Sequence, residues 1–293
     1  MKKPLSLLAL AIMLSACSDG GSSRKPAPAA EIDPAGIWRG TMTSLLEKER
    51  LERCDGASED AGQHEVLILV DHMGYARLMS EMGIVTVDEA TNTCTVDRVR
   101  ELLASGRFVN ILNENDIEDE PKDSEAKVGD YTGLLDVYSV DPRNTNPPET
   151  LARHYSTTSG NVVPQDSMTG SLKFADLELF TFDVTYDQAA SQRGASVADL
   201  AGRTLTDPVG NGEGRPLTLT FGDGTVEGGD GVCTYQGTFN VPEASLNIYL
   251  LNLTVASPCA TYQGTYSGLA ALLDSQLSLN LIDSKRSLQY NLQ

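Results

Sequence analysis

Pro216-Leu-Thr-Leu-Thr-Phe221-Gly-Asp-Gly224-Thr-Val-Glu-Gly228 is the stretch that decides the fold class. Leu217, Leu219 and Phe221 alternate with Thr218 and Thr220, the two-residue period of a half-buried strand. The Asp223-Gly224 pair supplies the left-handed backbone of a tight turn, and a second alternating segment starts at Thr225. This is a β-hairpin, and the same signature recurs along the chain.

Downstream, residues 235–239 and 246–254 read as strands, and residues 277–282 and 287–292 close the chain as a hairpin. Upstream, Gly36-Ile-Trp38-Arg-Gly40-Thr-Met-Thr43 alternates, and residues 66–70, 71–74 and 75–79 read as strand, turn and strand. Residues 131–138 form another strand, and residues 168–174 and 178–186 a hairpin around Ala175 to Leu177. In the last of these, Phe180, Phe182, Val184 and Tyr186 share one face, which is the expected core side. The expected class is mainly β: two antiparallel barrel-like or sandwich-like modules with a few short helices.

Three segments read as helix. Val96, Val99, Leu102 and Leu103 have helical spacing, as do Leu269, Leu272 and Leu273 in residues 268–274. Ser196 and Asp199 form a capping box with Gly202 at the C′ position, which predicts a short helix at residues 197–201. The acidic stretch 113–130 and residues 144–148 read as loops. The capped segment divides an N-terminal module, residues 32–187, from a C-terminal module, residues 188–293. The halves look like diverged copies. Gly36 and Gly202 open them, Gly74 and Gly224 turn a hairpin, and Tyr131-x-Gly133 and Tyr235-x-Gly237 mark a later strand.

With 41 acidic against 22 basic residues and a formal charge of −19, the chain has no means of binding nucleic acid by neutralising phosphates. The same charge is repelled by anionic lipid headgroups. Apart from Cys17, the cysteines are Cys54, Cys94, Cys233 and Cys259. An even number in an oxidising compartment reads as two disulfides with three possible pairings. Cys54–Cys94 and Cys233–Cys259 are favoured because each keeps its bridge within one module.

The N-terminus begins Met1-Lys-Lys-Pro, runs through an apolar stretch at residues 5–14 and reaches Leu14-Ser-Ala-Cys17. The apolar run is too short to span a bilayer. The segment resembles the lipobox of bacterial lipoproteins. That resemblance implies removal of residues 1–16, a diacylglyceryl thioether on Cys17, and a further acyl chain, such as palmitate, on its new amine. Multiple acyl chains make a stable anchor without a transmembrane helix. Residues 17–31, rich in Gly, Ser, Pro and Ala, then form a flexible tether. By resemblance to enterobacterial lipoprotein sorting, Ser18 rather than Asp after the cysteine implies the outer membrane, with the protein facing the periplasm.

Two weaker resemblances concern the fold. Gly36-Ile-Trp38 is similar to the opening strand of lipocalin-like barrels, where the Trp closes one end; read on its own, Trp38 is a core aromatic. The segment from Leu217 through Cys233-Thr-Tyr235-Gln-Gly237-Thr-Phe239 to Cys259 resembles the META domain of bacterial envelope proteins. It departs from that pattern where Val232 and Thr234 flank Cys233. Two-module envelope lipoproteins carry a similar Cys-Thr-Tyr-x-Gly-Thr segment.

No nucleophile elbow, HExxH helix, P-loop or paired CxxC is present, so no catalytic residue, cofactor or metal is expected. His64, His72 and His154 read as surface residues. Residues 113–120 and the trio Asp223, Glu227 and Asp230 offer oxygen ligands for Ca²⁺ without EF-hand spacing. The expected function is a lipid-anchored, non-enzymatic binding or assembly module, with the membrane and an envelope protein as the expected partners. The alternatives are a lipocalin-like carrier of an apolar ligand and a hydrolase of envelope glycans or lipids.

Overall fold

A computed structural model describes residues 31–54, 61–118, 125–140, 152–175, 177–210, 215–256, 259, 262–283 and 286–293. The signal segment, Cys17, nearly all of the tether and the loop at residues 144–148 lie outside the described residues.

The chain forms two eight-stranded antiparallel meanders in sequence. The first consists of β1 (Gly36–Ser44), β2 (Gln63–Val70), β3 (Tyr75–Asp88), β4 (Thr93–Val109), β5 (Asp130–Val140), β6 (Ala152–Val163), β7 (Ser167–Phe174) and β8 (Leu177–Tyr186). It closes on itself: Trp38 of β1 lies opposite Ile68 of β2 on one side and Tyr186 of β8 on the other. Closure leaves no free sheet edge. The second consists of β9 (Thr204–Asp207), β10 (Leu217–Phe221), β11 (Thr225–Gly229), β12 (Thr234–Asn240), β13 (Tyr249–Ala256), β14 (Gly264–Leu273), β15 (Gln276–Ile282) and β16 (Ser287–Leu292). This sheet is nearly closed, because Thr206 and Gln293 exchange backbone hydrogen bonds of 2.9 and 3.0 Å. The mainly β, two-module expectation is met.

Alternation places the core. In the first barrel Trp38, Met42, Ile68, Leu78, Phe182 and Val184 point inward, the last two on the face expected from sequence. The Trp38 indole donates to Pro34 O at 3.0 Å and meets the edge of Tyr186. In the second barrel Leu217, Leu219 and Phe221 point inward with Tyr235, Tyr266 and Tyr290. Disulfides join Cys54 to Cys94 and Cys233 to Cys259, both within a module.

Two of the three helical readings are corrected. Residues 96–103 lie in β4. Arg98 pairs with Gly83 and Arg100 with Met82, so Val99 is the extra residue of a bulge. A bulge shifts the two-residue alternation by one position, and the shifted pattern imitates helical spacing. Residues 268–273 lie in β14 and are buried throughout. Ala270 and Leu272 fill the second barrel, while Leu269, Ala271 and Leu273 pack against the first. A strand buried on both faces loses its alternation, and a short apolar run is then ambiguous. The third reading stands in shortened form: a 3₁₀ turn at Val197–Asp199 carries the Ser196–Asp199 capping box, with Gly202 at φ +78°.

Other segments differ in detail. The acidic loop contains α2 (Glu114–Glu118), with Asn113 Oδ1 accepting the N–H of Asn115. β6 occupies a polar stretch that includes His154, where the sequence suggested no strand. Two further short helices are α1 (Leu45–Leu51), which packs on β1, β3 and β8 of the first barrel, and α3 (Gln188–Ser191), which leads into the second module.

The two halves correspond strand for strand at their starts, with one shift. Gly74 and Gly224 both turn the second strand into the third with positive φ. The carbonyl of Gly74 accepts the N–H of Phe108, and that of Gly224 accepts the N–H of Phe239, both at 3.0 Å. Phe108 and Phe239 lie on the fourth strand of their barrels. The counterpart of Gly237 is therefore Gly106, not Gly133, which lies on the fifth strand. A Cβ at Gly106 would sit 1.9 Å from Leu134 O, and one at Gly237 would sit 1.9 Å from Asn252 O. The same close approach of the fifth strand to the fourth occurs in both copies.

Candidate functional site

The seam between the barrels is built by the outward faces of β1–β3 and of β13–β15. Ile37, Leu69 and Met79 meet Ile248, Leu269, Ala271 and Leu273 in one apolar cluster. Alternation explains it: the same strands send Trp38, Ile68 and Leu78 inward, so the odd-numbered positions reach the second barrel.

Hydrogen bonds lock this seam. Ser191 Oγ accepts the Ile37 N–H at 2.8 Å and donates to Ile37 O at 3.3 Å. The Ser191 carbonyl accepts the Asn247 N–H at 2.9 Å. The Asn247 side chain completes the relay by donating to Leu272 O at 2.8 Å and accepting from Leu272 N at 3.2 Å. Ser191 and Asn247 are fully buried, so each bond replaces hydration that neither residue can recover.

Beside the sealed seam lies a groove of about 530 Å³. Arg39 and Leu67 of the first barrel face Arg203, Leu273, Ser275 and Ser278 of the second. Arg39 is held by a 2.9 Å ion pair to Asp187. Arg203 makes one long contact, 3.5 Å, to Ser275 O. The β14–β15 turn that carries Ser275 places both Asp274 and Ser275 at positive φ, a conformation that costs a non-glycine residue free energy.

Further along the same face of β15 stands Asn280, fully buried, with neither its amide oxygen nor its amide nitrogen hydrogen-bonded among the described residues. Gln289, opposite Asn280 on β16, has a buried side-chain oxygen in the same condition. Buried polar groups without partners are rare in native proteins, and each calls for a cause.

The histidines divide. His72 is exposed, as expected. His64 is not a surface residue: its Nε2 lies 2.7 Å from Glu47 Oε2, and both side chains are less than one-tenth exposed. Glu47 reaches it from α1, whose N-cap Ser44 accepts the Glu47 N–H at 3.3 Å. A helix over the end of the barrel thus buries a pair that strand periodicity alone could not bring together. The side chain of His154 lies outside the described residues.

The carboxylates considered for Ca²⁺ do not converge. Asp230 accepts from Val232 N and Cys233 N and pairs with Arg215. Glu227 is exposed on β11, Asp223 lies in the Gly222–Gly224 turn, and Asn113 caps α2. Among the described residues no group of three or more His, Cys, Asp or Glu side chains is placed to hold a metal. No described helix is long and apolar enough to cross a membrane.

Comparison of the chain with protein-family models, curated proteins and solved structures returns no match.

Proposed function

We propose that this chain is a lipid-anchored envelope protein, held to a membrane through acylated Cys17, whose double barrel works as a non-enzymatic binding module. One observation carries the reading. The described interiors of both barrels are occupied by their own side chains, and a concave surface lies between them, in the Arg39–Arg203 groove. A protein that works through such a surface needs rigid placement of two modules, which the Ser191–Asn247 relay supplies. The lipobox and the tether account for the rest: anchor, spacer and presented surface. The META-like and lipocalin-like resemblances fit a β-module of the envelope and add no activity.

The test is chemical crosslinking in native membranes, with mass spectrometry of the N-terminal peptide. The expected result is a diacylated Cys17 and a reproducible crosslinked partner or retained ligand. An unmodified N-terminus together with an isolated monomer in every preparation overturns the reading.

A carrier role for the first barrel is favoured by one observation. Ser156 faces the barrel interior opposite Leu135, and its buried hydroxyl has no partner among the described residues. Native mass spectrometry that releases a small molecule on denaturation, and loses it in Ser156→Val, would favour this reading over the first.

A further inference from the structure

We infer that Met73 is a redox modification site, where a peroxide converts the thioether to the sulfoxide while the fold stays intact and one turn of the first barrel changes from apolar to polar. Neither the anchor nor the groove enters into it.

The chain has seven methionines. Met1 and Met13 belong to the segment read as a signal, and the side chain of Met82 lies outside the described residues. Met42 and Met168 fill the first barrel at 0% and 1% exposure, and Met79 is held in the seam at 5%. Met73 alone among the described methionines is open to solvent, at 51% exposure. Oxidation of a thioether requires the oxidant to reach the sulfur, so exposure separates Met73 from the other three.

The turn that presents Met73 is fixed without its side chain. Asp71 Oδ1 accepts the N–H groups of Met73 and Tyr75, both at 2.9 Å, and the Asp71 carbonyl accepts that of Gly74 at 2.9 Å. Arg107 Nε, from β4, donates to the Met73 carbonyl at 2.7 Å, and its guanidinium carbon lies 5.3 Å from the centre of the Tyr75 ring. None of these contacts uses the Met73 thioether, so a change at sulfur leaves the turn in place. The sulfur lone pair attacks one oxygen of hydrogen peroxide. The S–O bond forms, the O–O bond breaks, and the departing hydroxide takes the remaining proton and leaves as water. Sulfur loses two electrons and the peroxide gains them. The product replaces a flexible apolar side chain by a polar one, on the same turn as Tyr75, itself 43% exposed. The same step at Met42 or Met168 would put a sulfoxide into a closed apolar core, where a polar group without a partner is costly.

The experiment is a timed exposure of the full-length protein to dilute hydrogen peroxide, stopped with excess free methionine and read by peptide mass spectrometry. Met73 is expected to gain one oxygen at least about tenfold faster than Met42, Met79 and Met168. In urea all four should react at similar rates, because the difference comes from burial. Met73→Leu should abolish the fast uptake of oxygen and melt with the wild type, and the singly oxidised protein should melt with it too. Three results overturn the proposal: Met73 reacting no faster than the buried three in the folded protein, a rate difference that persists in urea, or a lowered melting temperature of the singly oxidised protein.

Discussion

The hydroxyl of Ser191 accepts the backbone N–H of Ile37 at 2.8 Å across 154 positions of sequence. Through its own carbonyl, Ser191 also takes the N–H of Asn247 from the second barrel. One buried residue therefore serves both modules. Ser191→Ala leaves the Ile37 N–H without its partner at a fully buried site, at a cost of about 1–3 kcal/mol. Urea unfolding should show a lower midpoint, and an unchanged midpoint would remove Ser191 from the seam's energetics.

Leu269 tests whether the two barrels unfold together. It is buried by the first barrel, not by its own. Leu269→Ala should cost about 2–5 kcal/mol, as at other well-packed core positions. Leu269→Asp should uncouple the modules, so that calorimetry resolves two transitions where wild type gives one. A single unshifted transition in the aspartate variant would mean that the seam does not couple them.

The pair of Glu47 and His64 is buried beneath α1. Removing one partner leaves the other's hydrogen-bonding group unsatisfied in a poorly solvated site, at about 1–3 kcal/mol. Glu47→Ala and His64→Ala should therefore each destabilise strongly. The double variant should cost less than the sum, and a double-mutant cycle in denaturant measures the difference. Additive losses would show that the two groups do not interact.

Gly106 and Gly237 make the correspondence of the two copies testable. An added Cβ would overlap a carbonyl oxygen of the next strand at the same 1.9 Å in each barrel. Gly106→Ala and Gly237→Ala should each cost about 1–3 kcal/mol through forced backbone shifts. Gly202→Ala meets nothing nearby and pays only for its φ of +78°. It should be the mildest of the three in thermal melts.

Burial, followed by the charge of Asp199, pushes Tyr249 up to about 12; burial, followed by Asp283, does the same for Tyr266. In the unfolded chain both ionise near 10. Between those values the folded state holds more protons than the unfolded state, so stability falls as pH rises. Below pH 10 the contribution is present in full. Phenolate absorbance should show these groups titrating late, together with loss of the native circular dichroism. Full ionisation near pH 10 with the fold intact would contradict the burial.

Sequence carried the fold class because most strands keep one wet face, and alternation survives wherever that holds. Leu217 to Phe221 and Phe180 to Tyr186 are legible for this reason. The legibility failed where tertiary structure removes the pattern. β14 is covered on both faces, and β4 changes phase at Val99. β6 has so many Ser, Thr and Gly residues that no apolar period marks it. The groove was not legible at all, because Arg39 and Arg203 lie on different barrels and only the seam brings them together. The misreading of β14 as a helix hid the seam, since its second apolar face is the contact itself.

The seam joins unlike strands: β1–β3 of the first copy against β13–β15, the fifth to seventh strands of the second. Contacts between unlike faces of repeated units do not close on themselves; each unit added exposes the same surfaces again, and the outcome is a fibre. In the second copy, the surface that would receive another unit is β9–β11. There Thr204 is hydrogen-bonded to Thr220 at 3.0 Å and Thr206 to Thr218 at 3.1 Å, where β1–β3 carry Ile37, Leu69 and Met79. This threonine ladder is polar where β1–β3 are apolar, so the second copy does not repeat the apolar face that the first presents to it.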